Sequence, residues 1–252
     1  LRCSLSMEIL SWSPTSQGSS ITNGTDWKRP YSYLQHAERL LSHDVDDHYR
    51  IDCIINLNRA IDHRVKLLAA LYRFKKIPVL GKPEKLLDML GYFGVARPAM
   101  LRELSSVRNL LEHHYKAPPP LQRCQELAEF TWYFLKSTDY LSTSVLEDFV
   151  LYPSGVKFSE KYWLEVTYGP SSEWVCSIRG RVPADFVGDE STDGWAILAS
   201  RLEREERLSK DCALNDVLEK RGGHENDVYI VADVLVDEQA YKDITDLYFS
   251  VL

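Results

Sequence analysis

Residues 51–72 read IDCIINLNRAIDHRVKLLAALY. The apolar side chains Ile51, Ile54, Ile55, Leu57, Ile61, Val65, Leu68, Leu71 and Tyr72 recur at three and four residues. That period lines one face of an α-helix, and the run is far longer than an ordinary strand. Asp46 or Asp47, just ahead, can accept hydrogen bonds from the free amides of its first turn. Working outward, Tyr31, Leu34, Ala37, Leu40 and Leu41 show the same spacing between Trp27 and Ser42. Downstream, Pro78, Gly81 and Pro83 force a turn before a short helix near Glu84–Leu90. Pro98 suits the first position of a further helix, which carries Leu101, Leu104, Val107 and Leu111 as far as Ala117 and the three prolines Pro118, Pro119 and Pro120. A last helix spans Leu121 to about Leu141. Residues 27–144 are therefore expected to form an antiparallel bundle of four long helices and one short one.

After Ser144 the period shortens. Tyr162, Leu164, Val166 and Tyr168 alternate with Trp163, Glu165 and Thr167; Gly169, Pro170, Ser171 and Ser172 supply turn chemistry; and Trp174, Cys176 and Ile178 alternate again, as in a β-hairpin with a longer loop. Val228–Val236 is a nearly continuous apolar run, as in a central strand. Arg201–Lys210, with Glu203/Arg207 and Glu206/Lys210 at i,i+4, reads as a charged helix. Residues 145–252 are thus expected to be a smaller α+β domain. Residues 1–26 are expected to be a flexible tail: Met7–Asp26 is rich in Ser, Thr and Gly, and Leu1–Ser6 reads as a scar ahead of a start at Met7. The predicted fold class is α plus α+β, a helical bundle followed by a small domain built around a hairpin.

Composition limits the classes of function. The chain has 252 residues, 44% hydrophobic and 27% charged, and no run approaches the roughly 18 consecutive apolar residues of a membrane span, so no membrane partner is expected. Five cysteines, odd in number and widely spaced, build neither a disulfide framework nor a zinc site and point to a reducing, cytoplasmic setting. Net charge is −7 but unevenly spread. Leu57–Cys124 carries 13 Lys and Arg against 5 Asp and Glu, whereas Gln125–Leu252 carries 12 against 25. A basic stretch inside an acidic chain is the pattern of a surface that meets a polyanion, or of long helices that are simply solvated by lysine and arginine.

Within the basic stretch, residues 108–115 run Arg108-Asn109-Leu110-Leu111-Glu112-His113-His114-Tyr115. Histidine titrates near neutrality and moves protons; arginine stays charged and grips phosphate through two donors. At 100° per residue Arg108 and Tyr115 lie within about 20° of each other, whereas His113 lies about 140° from Arg108. Either the last turn is unwound before Pro118, or Arg108 and a histidine from a second subunit build each site together. The alternative is that these side chains pack on a helix face and cap its end.

The helical stretch, roughly Trp27–Ser144, resembles the HEPN superfamily, whose members are compact helical bundles with an Arg-x(4–6)-His motif, commonly with Asn after the Arg. Arg108-Asn109 and His113 match it, and Tyr115 extends it to the Arg-x4-His-x-Tyr form of HEPN toxins paired with nucleotidyltransferase antitoxins. The resemblance implies a metal-independent, homodimeric endoribonuclease acting on single-stranded RNA, a toxin or defence effector, needing no cofactor. Arg108 would hold phosphate, His113 would transfer protons, and Asn109, His114 and Tyr115 would support or regulate. His114 also satisfies the looser family spacing, and Tyr115 stands where an antitoxin would attach adenylate. A regulatory protein or antitoxin is a further expected partner. The other reading is a non-catalytic dimerisation or ligand-binding module whose C-terminal domain recruits a partner protein.

Other features carry less. His43, Asp44, Asp46, Asp47 and His48 resemble a metal cluster but lie in one interhelical turn where acids cap a helix. Asn56, Arg59 and Asp62 fall at i, i+3 and i+6 as second-layer groups or as a solvated face. His224 follows Arg221-Gly222-Gly223 as loop punctuation. The chain has no Walker-type phosphate loop, no dinucleotide-binding glycine fingerprint and no nucleophile elbow, which counts against the chemistries these support.

Overall fold

The computed structural model describes residues 1–21, 26–43, 46–114, 116–154, 161–189, 194–204, 227–235 and 237–252. The chain divides into two compact units: a helical unit, residues 21–75 and 81–145, and a sheet unit, residues 1–20, 76–80 and 146–252.

The helical unit is organised around the long apolar-striped segment 51–72. Its helices are α1 (Arg29–Ser42), α2 (Asp47–Tyr72), α3 (Leu86–Tyr92), α4 (Ala99–His114), α5 (Leu121–Ser137) and α6 (Asp139–Thr143). The Asp46 carboxylate accepts from the His48 amide and starts α2. Ile54, Leu57, Ala60, Ile61, Val65, Leu68 and Tyr72 are buried along it, and α2 packs against α1, α4 and α5. Arg73 closes the helix in the left-handed region at φ 46°. Tyr72, Phe74 and Phe93 then stack with centroids 5.7 Å apart.

One member of the α2 core is a cation. Arg64 is fully buried and donates to the Leu135 carbonyl and the Thr138 hydroxyl at 3.1 Å, the Trp27 carbonyl at 3.1 Å and the Asp139 carboxylate at 2.9 Å. The expected single helix over residues 121–141 is in fact two. α5 ends at Ser137, and the Thr138 hydroxyl turns back to the Phe134 carbonyl at 2.7 Å. The break presents the Leu135 carbonyl and Asp139 to Arg64.

The sheet unit overturns the expected fold class. It is built on one eight-stranded sheet: β1 (Arg2–Ser6), β2 (Ser13–Ile21), β3 (Ser144–Tyr152), β4 (Trp163–Thr167), β5 (Ser177–Pro183), β6 (Val187–Gly188), β7 (Gly194–Arg204) and β8 (Asp227–Val234), in the order β2-β3-β4-β5-β8-β7-β1-β6. The β4–β5 hairpin is there, with Val166 opposite Ile178, but it is two strands of a large sheet. β8 lies between β5 and β7, antiparallel to both.

The stretch expected as a flexible tail supplies β1 and β2. β1 pairs with β7, Cys3 opposite Ile197 and Leu5 opposite Trp195, and Cys3, Leu5 and Ile9 are buried. Serine-rich composition favours turns locally, but partners from the far end of the chain satisfy these backbone groups, and strand preference follows such context. The charged helix expected over Arg201–Lys210 is also corrected. Arg201–Arg204 continues β7 beyond a bulge at Ala199/Arg201 and pairs with β8; residues 205–210 lie outside the described residues.

Gly180 is required by close approach, because a Cβ there would sit 2.1 Å from the Trp163 carbonyl oxygen across the β4–β5 pair. The last helix, α7 (Glu238–Val251), is capped by Asp237, whose carboxylate accepts from the amides of Gln239 and Ala240. Its buried Tyr241 and Tyr248 meet Tyr168 and Trp174 in an edge-to-face aromatic cluster, pinned by Tyr248 donating to the Leu146 carbonyl at 2.7 Å. Among the described residues no helix is long and apolar enough to cross a membrane.

Candidate functional site

The helix α4 positions four of the five motif residues. Leu101 and Leu104 are fully buried and Leu111 nearly so, which fixes the rotation of the helix and turns Arg108, Asn109, His113 and His114 toward solvent to different extents. Helical geometry persists through His114, so unwinding of the last turn, one of the two alternatives left open by the sequence, does not occur before that residue. Tyr115 lies outside the described residues, and the Lys116 amide returns to the Leu110 carbonyl at 3.4 Å.

Arg108 is half-exposed and engaged within its own helix. Its guanidinium pairs with Glu112 at i,i+4 and donates to the Asn109 side-chain carbonyl at 3.2 Å. A partly exposed i,i+4 pair contributes only about 0.3–0.5 kcal/mol, so it orients the arginine without removing it from competition by phosphate. His113 and His114 are exposed, with no hydrogen-bond partner for either imidazole among the described residues. On a continuous helix Arg108 and His113 diverge by about 140°, while Asn109 and His113 are within about 40°. One chain therefore does not bring Arg108 and His113 together.

Two of the expected residues meet in a different place. A cleft of about 480 Å³ runs beside α3 and α4, and Asn109 and His114 line it together with Lys85, Asp88, Arg102 and Ser105. Arg108 and His113 are not in its walls. Arg102 is held by Asp88 at 2.6 Å, and the Ser105 hydroxyl donates to the Leu101 carbonyl at 3.1 Å. The cleft offers two cations, a carboxylate, two hydroxyls, an amide and an imidazole around an apolar edge of Leu87 and Leu110. The sequence signal for its α4 wall is the polar stripe Arg102, Ser105, Ser106 and Asn109 opposite the leucines; its α3 wall has no such signature.

The remaining candidates separate. Asn56 is buried and donates to the Asp52 carbonyl at 2.8 Å, whereas Asp62 is exposed and pairs with Lys66 at 2.6 Å; Arg59 is exposed. Asp46 is spent as a cap and Asp47 pairs with Arg50. Asp44 and His224 lie outside the described residues. Among the described residues no group of three or more His, Cys, Asp or Glu could hold a metal ion. Cys3, Cys53, Cys124 and Cys176 are buried free thiols. Burial, with a smaller effect from Cys124, pushes the Cys53 thiol up to about 12, which keeps it protonated and unreactive.

Charge follows the units less sharply than it follows the sequence windows. The helical unit has 17 Lys and Arg against 14 Asp and Glu, a net +3, and the sheet unit 13 against 23, a net −10. The acids flanking the basic stretch, from Asp26 to Asp52 and from Glu126 to Asp139, belong to the same bundle.

No protein-family model matches the chain, and no curated protein and no solved structure is significantly similar to it.

Proposed function

We propose that the helical unit is a metal-independent endoribonuclease of the HEPN type that cleaves single-stranded RNA as a homodimer, serving as a toxin or defence effector in the cytoplasm. The observation that carries this reading is the continuity of α4 through His114. Transesterification needs a base for the 2′-hydroxyl proton, an acid for the leaving 5′-oxygen and a cation for the charge on the phosphoryl oxygens, all at one phosphate. Arg108 and His113 diverge on one helix, but a twofold axis beside α4 would let the Arg108 of one chain serve the His113 of the other. Glu112 and Asn109 engage the guanidinium on its own helix, and phosphate would compete with them for it. His114, beside Asn109 in the cleft, is the histidine on the path of the flanking RNA.

A second reading is favoured by the two contacts of Arg108. Arg108 is already satisfied by Glu112 and Asn109, as it would be in a non-catalytic dimerisation or ligand-binding module, with the acidic sheet unit recruiting a protein partner. Cleavage of mixed-sequence single-stranded RNA in excess EDTA separates the two. Arg108→Ala and His113→Ala are each expected to abolish cleavage, and mixing the two inactive variants is expected to restore about a quarter of the wild-type rate, because half of the dimers then contain one intact composite site. No cleavage by the wild type refutes the nuclease; no recovery on mixing refutes the shared site.

A further inference from the structure

The helical unit carries an aromatic and cationic corner remote in sequence from the Arg108 motif. Trp132, Tyr133 and Tyr140 are 39%, 62% and 53% exposed in a fold that otherwise buries most of its large rings. Trp132 and Tyr133 meet edge to face at 5.0 Å. The Lys136 ammonium lies between two ring faces, 5.0 Å from the Tyr31 centroid and 5.8 Å from that of Trp132. Lys28 lies 5.2 Å from the Trp27 ring in the short turn that leads into α1.

The buried Arg64 network makes this corner rigid. Tyr31 donates to the Asp139 carboxylate at 2.7 Å, and Arg64 ties Asp139 to the Trp27 carbonyl. The start of α1, the end of α5 and the start of α6 are therefore fixed to one another, and Tyr31, Trp132 and Lys136 are presented on a preformed surface. Asp139 is shared by the buried Arg64 and, at 3.9 Å, by Lys136, and Lys28 and Arg29 stand at the start of α1.

Exposed rings interleaved with ammonium groups match unpaired bases joined by phosphates. Each base has a face to stack on a ring, and each lysine can reach the phosphate beside it. A duplex cannot use such a surface, since its bases are already stacked on each other. We propose that the corner formed by Tyr31, Trp132, Tyr133 and Lys136 is a stacking platform for unpaired bases of single-stranded RNA. This rests on the reading of the helical unit as acting on RNA, and it names a binding surface separate from Arg108.

The test uses the full chain and 2′-O-methyl single-stranded RNA of about twelve nucleotides, within the usual site size; this RNA has no 2′-hydroxyl and cannot be cleaved by the proposed route. Fluorescence anisotropy is read for the wild type, Trp132→Ala/Tyr133→Ala and Trp132→Phe/Tyr133→Phe. The alanine pair is expected to bind at least tenfold more weakly, the phenylalanine pair close to wild type, and a fully paired RNA to be indifferent to both changes. Because the side chains are exposed, an unchanged far-UV spectrum checks that the variants are folded. Undiminished binding by the alanine pair overturns the platform, as does absence of binding by the wild type, which would leave the corner to a protein partner. Cleavage of unmodified RNA by the same variants and by Arg108→Ala separates the two claims: weakened binding with no Arg108-dependent cleavage upholds the platform and refutes the nuclease, and Arg108-dependent cleavage with unchanged binding does the reverse.

Discussion

Replacing Arg64 by alanine tests whether the break between α5 and α6 is held by one buried cation. The guanidinium has no exposed surface and donates to two backbone carbonyls, one hydroxyl and one carboxylate. Removing it leaves two carbonyls without this donor and Asp139 without its nearest counter-charge. Breaking a buried ion pair by deleting one partner costs about 3–5 kcal/mol. The lower end applies here, because Asp139 is 26% exposed and keeps the Tyr31 hydroxyl at 2.7 Å and Lys136 at 3.9 Å. A loss of about 3 kcal/mol lowers the melting temperature of a unit this size by roughly 10–15 °C. The assay is urea unfolding followed by far-UV circular dichroism, with hydrogen exchange to assign the change to the amides of α5 and α6. Arg64→Met/Asp139→Asn, which removes both charges and restores bulk, is expected to recover at least about 1 kcal/mol relative to Arg64→Ala. A loss below about 1 kcal/mol for Arg64→Ala, or unchanged exchange in α5, would refute the argument that the cation organises this corner.

Three further outcomes are expected. Gly180→Ala should destabilise the sheet unit by about 1–3 kcal/mol in denaturant titration, because its methyl group meets the Trp163 backbone and β4 and β5 must separate to admit it. Glu112→Gln should raise RNA affinity about twofold to fivefold at low salt, with the gain lost as salt is added, since it frees Arg108 and removes a negative charge; unchanged affinity would exclude Arg108 from the RNA surface. Tyr31, Tyr162 and Tyr168 have hydroxyl pKa values raised, first by burial and, for Tyr31 and Tyr162, next by hydrogen bonds to Asp139 and Asp227. A folded-state pKa above the unfolded value near 10 contributes stability that is complete below about pH 10 and falls above it. Tyrosinate absorbance should therefore show these phenols ionising above the range of a free tyrosine.

The helical unit was largely legible because its information is local. The three- and four-residue spacing in α1, α2, α4 and α5 and the proline punctuation place each helix within a few residues of its observed limits. β4 and β8 were legible for the same reason, through alternation or a continuous apolar run, whereas β5 (Ser177–Pro183) overlaps the expected alternation Trp174, Cys176 and Ile178 only at its start, because residues 171–174 are in a turn. β1 and β2 were not, because what makes Arg2–Ser6 a strand is β7, nearly two hundred residues away. Arg64 shows how a legible pattern hides an exception: three residues after Ile61 and four before Leu68, it stands on the buried stripe, and a cation there signals a partnered charge. At the site, the spacing from Arg108 to His113 correctly gave their divergence. The α3 wall of the cleft, with Lys85 and Asp88, comes from tertiary packing and has no periodic trace.

The sheet order has a consequence for synthesis on the ribosome. β1 sits between β6 and β7, so its edges find no partner until residues beyond 187 have emerged. At the usual pace of translation, 5–20 residues per second, this leaves a roughly 10–40 s interval after β1 is made. α1 to α6, by contrast, contact one another within residues 29–143, and all of them emerge within that interval. The bundle can thus be complete while the first strand is still an open edge carrying Cys3 and Leu5, the kind of segment that pairs with other chains. A nascent chain whose residues up to about 150 have emerged accordingly has all six helices of the bundle available while β1 is unpaired, and β6 and β7, besides building the sheet, cover that strand when they follow.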